Sequence, residues 1–281
     1  MTKELTDLKW DTIQRMEEIE RCLFWQGSLG RTELALRLRM SNPQTTAILK
    51  QYQEFNPGKI GLNNSSKRYE VDDAIQNLFY TPSLTDLESH TDTFEINSYS
   101  MTSPSRRTPM AVVRDIARTI YQNQSIEIFY HSHKEPNGKR RRITPHTFVT
   151  TTQRTHVRAW CHESQGFRDF IIGRISETGL PGEPGKTILS DEAWHTLLIL
   201  KLKANPKLDS AQKKLIEMDF EMQSGLREVK VKQALLWYYF ELYNLWPEHQ
   251  FEDPKHQPVI LGDVEVMKFL TLNSTNNCKT L

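Results

Sequence analysis

The sequence predicts an α+β chain built in three parts, and three observations carry that reading. Apolar residues recur every three or four positions through roughly the first fifty residues, the period shortens to two between Ser125 and Ile175, and a mixed pattern returns beyond Gly185. At 281 residues the chain has room for two or three domains of roughly 100 to 150 residues each. Its composition, 37% apolar, 10% aromatic and 25% charged, excludes collagen-like and wholly disordered chains.

The N-terminal part reads as three helices and a hairpin. Ile13, Met16, Ile19 and Leu23 form one apolar stripe between Trp10 and Trp25, with charge on the other side. Gly27 to Gly30 breaks that helix, and Leu34, Leu36 and Leu38 belong to a short second one beginning near Arg31. Asn42 is placed to cap a third helix, because Pro43 fits the first helical position, where its missing N–H costs nothing. That helix runs to Gln53, and Asn56-Pro57-Gly58 ends it. Ile60 to Leu62 and Tyr69 to Val71, joined by Asn63-Asn64-Ser65-Ser66, pair as a hairpin. Helix, helix, helix, hairpin is the order of a winged helix-turn-helix.

From Tyr80 to Thr108 the chain is rich in Ser, Thr, Pro and Asp and is expected to be a connection. Met110 to Tyr121 is again helical, with Val113 and Ala117 on one side. Four strands follow, at Ser125 to His133, Arg140 to Thr150, Arg154 to His162 and Phe167 to Ile175, and they suggest a small antiparallel barrel or sheet. Gly179 to Gly185 marks a boundary. Beyond it come a strand at His195 to Lys203, a helix at Ser210 to Phe220 and a long apolar helix from Val231 to Leu245; the tail past Asn273 is expected to fray. The aromatic stripe of that last helix suits either an interface between protomers or the core of its own domain.

A net charge of +1 hides an alternation: −2 over residues 1–30, +5 over 31–68, −7 over 69–105, +8 over 106–174 and −3 over 175–281. Two basic segments separated by an acidic one suggest two anion-binding surfaces, the alternative being solvated faces that bind nothing. Cys22, Cys161 and Cys278 are far apart and in no C-x-x-C pair, which argues against disulfides and a cysteine-rich zinc site. No run approaches the roughly 18 apolar residues of a membrane span, and no apolar stretch follows a basic patch at the N-terminus, so a cytoplasmic protein without a membrane partner is expected.

In a helix-turn-helix the second helix of the pair meets base edges with its first turn. That assigns Asn42, Gln44, Thr45 and Thr46 to the major groove, with Gln44 suited to adenine, and Lys50 to a phosphate. Arg37, Arg39, Lys67 and Arg68 flank the helix, the last two on the wing. The competing reading is a winged helix that binds protein. In the second basic segment, alternation places Arg154, His156, Arg158 and Trp160 on one strand face and Arg168, Phe170 and Arg174 on one face of the next. With Tyr130 and Ser132, the cations His156, Arg158, Arg168 and Arg174 compose a patch for a phosphate-bearing or nucleobase ligand, or else a set of surface salt bridges.

Catalysis and metal binding are not expected. His131, His133, His146, His156 and His162 have no carboxylate cluster beside them, and Cys161 and His162, adjacent on a strand, point to opposite faces. No G-x-S-x-G, Walker A or G-x-G-x-x-G occurs, and no cofactor is implied.

The runs Ile143-Thr144-Pro145-His146-Thr147-Phe148-Val149, Arg154 to His162 and Phe167 to Ile175 resemble a WYL domain. Ser41-Asn42-Pro43-Gln44, Lys67-Arg68-Tyr69 and the stretch from Asn205 to Gln212 extend the resemblance to nearly the whole chain, towards the WYL repressors of the BrxR and CapW type beside bacterial anti-phage systems. The tripeptide that names the domain is here Thr155-His156-Val157. The resemblance implies a winged helix-turn-helix over residues 1–95, a linker and connecting helix over 96–122, an Sm-like WYL barrel over 123–190 and a C-terminal α+β dimerisation domain over 191–281. It further implies a homodimeric repressor of a phage-defence operon, bound to duplex operator DNA and released by an anionic nucleotide or oligonucleotide effector at Tyr130, Ser132, His156, Arg158, Arg168 and Arg174. The rival is an accessory or adaptor protein that holds single-stranded nucleic acid on the basic barrel without regulating transcription.

Overall fold

The computed structural model describes residues 8–71, 76–89, 106–246 and 253–270; Cys278 and the tail past Asn273 therefore lie outside the described residues. The chain divides into two units, Met1–Thr102 and Ser103–Leu281.

In the first unit, α1 (Trp10–Gln26) ends at Gly27, whose φ of +67° a residue with a Cβ rarely adopts. Strand β1 (Ser28–Gly30), α2 (Arg31–Leu38) and α3 (Asn42–Phe55) follow, then β2 (Ile60–Asn63) and β3 (Arg68–Val71). The hairpin is joined by β1 into a three-stranded sheet of order β1-β3-β2. Ser41, not Asn42, is the residue before the third helix: its N–H and hydroxyl both donate to Oε1 of Gln44, at 3.0 and 2.8 Å. Met16, Ile19, Leu23, Leu29, Leu34, Ile48, Leu49 and Tyr52 make the core, so the predicted helical stripes converge on one another. Glu20, fully buried, accepts the backbone N–H groups of Leu78, Phe79 and Tyr80 and the hydroxyl of Tyr52, which ties the chain after the wing to α1. A short helix, α4 (Leu84–Ser89), lies within the expected connection, and residues 90–105 of it fall outside the described residues.

The second unit opens with α5 (Met110–Tyr121) and a five-stranded antiparallel sheet, β4 (Ser125–Tyr130), β5 (Lys139–Thr150), β6 (Thr155–Cys161), β7 (Gly166–Ile171) and β8 (Ile175–Gly182), in the order β7-β6-β5-β4-β8. The sheet is open where a closed barrel was expected. Its edges β7 and β8 are not paired with each other, and α5 packs Val112 and Ile116 onto the apolar face that closure would otherwise shield. The glycine- and proline-containing stretch expected as a boundary begins inside β8, an edge strand, where Pro181 is tolerated.

The C-terminal part holds α6 (Glu192–His195), β9 (Leu197–Ala204), α7 (Ser210–Asp219), β10 (Arg227–Lys232), α8 (Leu236–Tyr243) and β11 (Val259–Leu261), with sheet order β10-β9-β11. The long helix expected from Val231 to Leu245 is corrected. Val229 and Val231 alternate with Glu228, Lys230 and Lys232 at the period of a strand paired to β9, a 3-10 turn follows at Gln233–Leu235, and only eight residues are α-helical. Leu236 and Phe240 of α8 are core, with Leu200, Leu202, Val231 and Leu261.

Candidate nucleic-acid interface and a second cationic site

The N-terminal turn of α3 presents Asn42, Pro43 and Gln44 to solvent, and Ala47 and Lys50 continue that exposed face. Its opposite side, with Ile48, Leu49 and Tyr52, is buried. Thr45 falls on the buried side and is corrected as a base-contacting residue: it is fully buried, and its hydroxyl donates to the carbonyl of Ser41. The hydroxyl of the half-buried Thr46 donates to the carbonyl of Asn42 in the same way. Gln44 turns its Oε1 onto Ser41, so contact with an adenine edge through both amide atoms requires opening that cap.

The flanking cations divide into two kinds. Arg37 bonds Glu33 at 2.8 Å, and Arg68 donates to Ser28 and to Glu33, holding the wing strands against the start of α2. Those two guanidiniums keep Glu33 below the usual carboxylate range, outweighing the burial that would raise it. Arg39, Lys50 and Lys67 are exposed and have no carboxylate partner among the described residues. Arg39 and Lys67 sit at φ of +51° and +58°, at the end of α2 and the tip of the wing.

In the WYL-like sheet the register separates residues that strand alternation had grouped. Arg158 lies opposite Asp169, while Arg168 lies opposite Ala159, on the face of Val157, Cys161 and the core. Arg158 and Arg168 therefore point to opposite sides of the sheet and do not share a ligand. Arg158 is corrected as a ligand contact. It is 3% exposed, forks onto Asp191 at 2.5 and 3.0 Å and reaches Asp169 at 3.1 Å. Burial works to raise the carboxyl of Asp191, but hydrogen bonds from His146 and Arg158 hold it down at about 2.

Two further assignments change. Tyr130 is a core residue whose ring meets Phe170 edge-on and whose hydroxyl accepts the N–H of Ile171. Ser132 closes a turn by accepting the N–H of Glu135. His156 is buried beside the ring of Tyr238 on α8, its pKa pushed down to about 4 mainly by that burial, and its Nδ1 has no hydrogen-bond partner among the described residues. Arg174 is half-buried, with an Nη 3.0 Å from His133. Arg154 and Arg106, which the strand patterns did not assign to the patch, line the same cavity as Arg174. Periodicity had placed Arg154 on the face of His156 and Arg158; Arg106 carried no signal beyond its charge.

The basic run at the start of β5 is largely neutralised. Lys139 pairs with Glu163, Arg140 with Glu127 at 2.8 Å, and Arg141 with Glu135 and Glu163. Of the histidines weighed as metal ligands, His131 bonds the carbonyl of Pro136 and the hydroxyl of Ser176, His146 bonds Asp191 and Thr147, and His162 bonds Thr144.

A winged helix ahead of an antiparallel sheet and a smaller C-terminal sheet has counterparts among known families. Residues 11–87 match the BrxR transcriptional regulator winged helix-turn-helix domain, residues 111–179 the WYL domain, and residues 197–267 the BrxR transcriptional regulator C-terminal dimerization domain. The chain is thus a winged-helix protein with a WYL domain and a C-terminal dimerisation domain. Over 261 residues it is 32% identical to the DNA-binding transcriptional repressor CapW of Escherichia coli (strain KTE188), covering 88% of this chain and 87% of that protein. Against the proteins of the same name from Pseudomonas aeruginosa and Stenotrophomonas maltophilia the identities are 30% and 26%, each covering 93% of this chain and 92% of the relative. The chain belongs to this family of BrxR- and CapW-type WYL proteins.

Proposed function

We propose that the protein is a homodimeric, DNA-binding transcriptional repressor of a phage-defence operon, cytoplasmic and without catalytic activity of its own. In this reading residues 1–95 bind an inverted-repeat operator, 96–122 connect, 123–190 sense an anionic ligand that releases the DNA, and 191–281 join the protomers. The observation that carries it is the outward face of α3, where Asn42, Gln44, Ala47 and Lys50 stand exposed and Lys67 extends the cationic surface to the wing. One such helix reads few base pairs, so two joined copies add their contacts on half-sites spaced by about one helical turn, roughly 10.5 base pairs, or a multiple. The repressor name of the relatives supports the same reading. A single-strand-binding adaptor is disfavoured, because the basic run of β5 that would track such a strand is occupied by Glu127, Glu135 and Glu163.

A gel shift with DNA from upstream of the protein's own gene tests the proposal. Competitor-resistant binding that is lost when five base pairs are inserted between half-sites is the expected result. Equal affinity for any duplex, or tightening with the length of any single strand, contradicts it.

A further inference from the structure

The wing of the first unit is held from behind by a continuous row of alternating charges. Nε of Arg68, on β3, donates to the hydroxyl of Ser28 at 2.8 Å, and its Nη2 donates to Oε2 of Glu33 at 3.0 Å. The other oxygen of Glu33 accepts Nη2 of Arg37 at 2.8 Å, and Nη1 of Arg37 lies 3.6 Å from Oε1 of Glu18. Oε2 of Glu18 accepts from Arg21, whose Nε reaches Oδ1 of Asp86 on α4 at 3.2 Å. Asp86 also accepts the hydroxyl of Tyr80, which in turn accepts the indole N–H of Trp25 at 2.8 Å. The row thus crosses β3, α2, α1 and α4, and each glutamate gives its two oxygens to two different arginines.

These are not freely solvated pairs. The side chains of Arg21, Glu18, Arg37 and Asp86 are 15–18% exposed, so their attraction is screened less than that of surface ions. Burial works to lower Arg21, yet Glu18, Asp86 and Glu17 hold it above the usual guanidinium range. Gly30 leaves the space that the wing end needs: a Cβ there would stand 3.3 Å from Nη1 of Arg68 and 3.5 Å from Oε2 of Glu33. At the other end, α4 is the last described element before the chain passes into the second unit.

We propose that this row positions the wing for the duplex from its far end on α4: Asp86 and Arg21 govern operator affinity without touching DNA, and Arg68 is a positioning residue, not a phosphate contact. This rests on the reading of the protein as a repressor and gives that reading a route from the connection to the DNA-binding surface. The alternation supplies the sense of the effect. When α4 leaves α1, Arg21 loses the carboxylate of Asp86 and takes more of Glu18. Arg37 then turns more fully to Glu33, and Arg68 keeps less of it. The wing is freed at the point where Lys67 precedes Arg68 at its tip.

The test uses the full chain, with operator duplex over a range of salt and, separately, amide hydrogen exchange without DNA. Asp86→Ala should weaken operator binding about five-fold, although deleting an anion from a DNA-binding domain would by itself tighten it. Arg68→Ala should weaken it about ten-fold with the slope of log affinity against log salt unchanged, whereas a lost phosphate contact lowers that slope by about one. Arg68→Lys keeps a charge that a phosphate accepts but loses the forked hold on Ser28 and Glu33, and should bind as weakly as Arg68→Ala. The double variant should bind no more weakly than Arg68→Ala alone, because both changes act through one row. Without DNA, amides of β2 and β3 should exchange faster in Asp86→Ala while those of Met16 and Ile19 in the core keep their protection. If that variant fails to melt cooperatively, Asp86→Asn, which keeps the shape and removes the charge, takes its place. Asp86→Ala binding as well as the wild type or better, losses that multiply in the double variant, a lowered slope or full rescue by Arg68→Lys, or wing amides that exchange at the wild-type rate overturns the proposal. A wild-type chain that shifts no DNA contradicts the repressor reading alone, and the exchange of the wing amides then decides the row by itself.

Discussion

The +5 winged-helix segment and the +8 segment that follows the connection look alike as charge counts and differ as surfaces. Around α3 and the wing, Arg39, Lys50 and Lys67 remain exposed, while Arg37 and Arg68 are spent on Glu33. In the WYL domain the first three cations of the most conspicuous basic run, Lys139 to Arg142, are matched by glutamates, and the deeply buried Arg158 is matched by two aspartates. Arg106, Arg154 and Arg174, scattered through the sequence, line one cavity whose wall carries no carboxylate among the described residues. A count of charges therefore marks where anions are welcome only after the internal partners are subtracted, and those partners are distant in sequence.

The largest effect that would break this comparison lies at Arg158. Arg158→Ala leaves Asp191 and Asp169 buried without their counter-charge and should cost about 3–5 kcal/mol, read by chemical denaturation. A variant as stable as the wild type, with ligand binding lost, would return Arg158 to the effector site. Glu20→Ala should come next in the first unit, at on the order of 3 kcal/mol, because it orphans the N–H groups of Leu78, Phe79 and Tyr80. An unchanged midpoint would show that water replaces the carboxylate at no cost.

A pH titration sharpens the same contrast. His156 has its folded pKa depressed to about 4, below the ordinary value of about 6.5, so the unfolded chain takes up the proton first. Its contribution to stability is complete above about pH 6.5 and falls away towards pH 4. Asp191, depressed to about 2, adds a second loss, beginning as pH falls below about 4 and completed through 2. His156→Gln should flatten the first phase and leave the second. Persistence of both phases would place the first on another group.

Much of the fold was legible because period and punctuation are local properties. The helical stripes of α1 and α3 and the turn signals around β5 to β7 identified their elements; the bounds of α5 were read as well, but not its face, because Val112, Ile116 and Thr119 are buried while Ala117 is exposed. The open sheet was not legible, since closure depends on whether β7 and β8 meet across the whole domain. The end of β10 and α8 ran together as one apolar stretch, because Val229 and Val231 alternate over too few residues to outweigh the leucines and aromatics that follow. At the sites, exposure along α3 followed from helical phase, and Thr45, assigned to the groove against that phase, is the residue that proved buried. The residues of the cationic sheet were harder. A strand's period of two fixes faces within one strand, but only the register of β6 on β7 decides that Arg158 meets Asp169 and that Arg168 does not join it.

The smallest expected effects are the most direct on function. Gln44→Ala removes the cap on α3 and should cost about 0.5–1 kcal/mol of stability, besides about 1–3 kcal/mol of affinity for the cognate operator only. Loss on random DNA as large as on the operator would reduce Gln44 to a structural residue. The central claim, that exposed and unpaired cations rather than total charge bind the duplex, is tested by the salt dependence of operator affinity in two double variants. Lys50→Ala with Lys67→Ala should lower the slope of log affinity against log salt by about two, whereas Arg140→Ala with Arg141→Ala should leave it unchanged. Equal losses from both pairs would contradict the account.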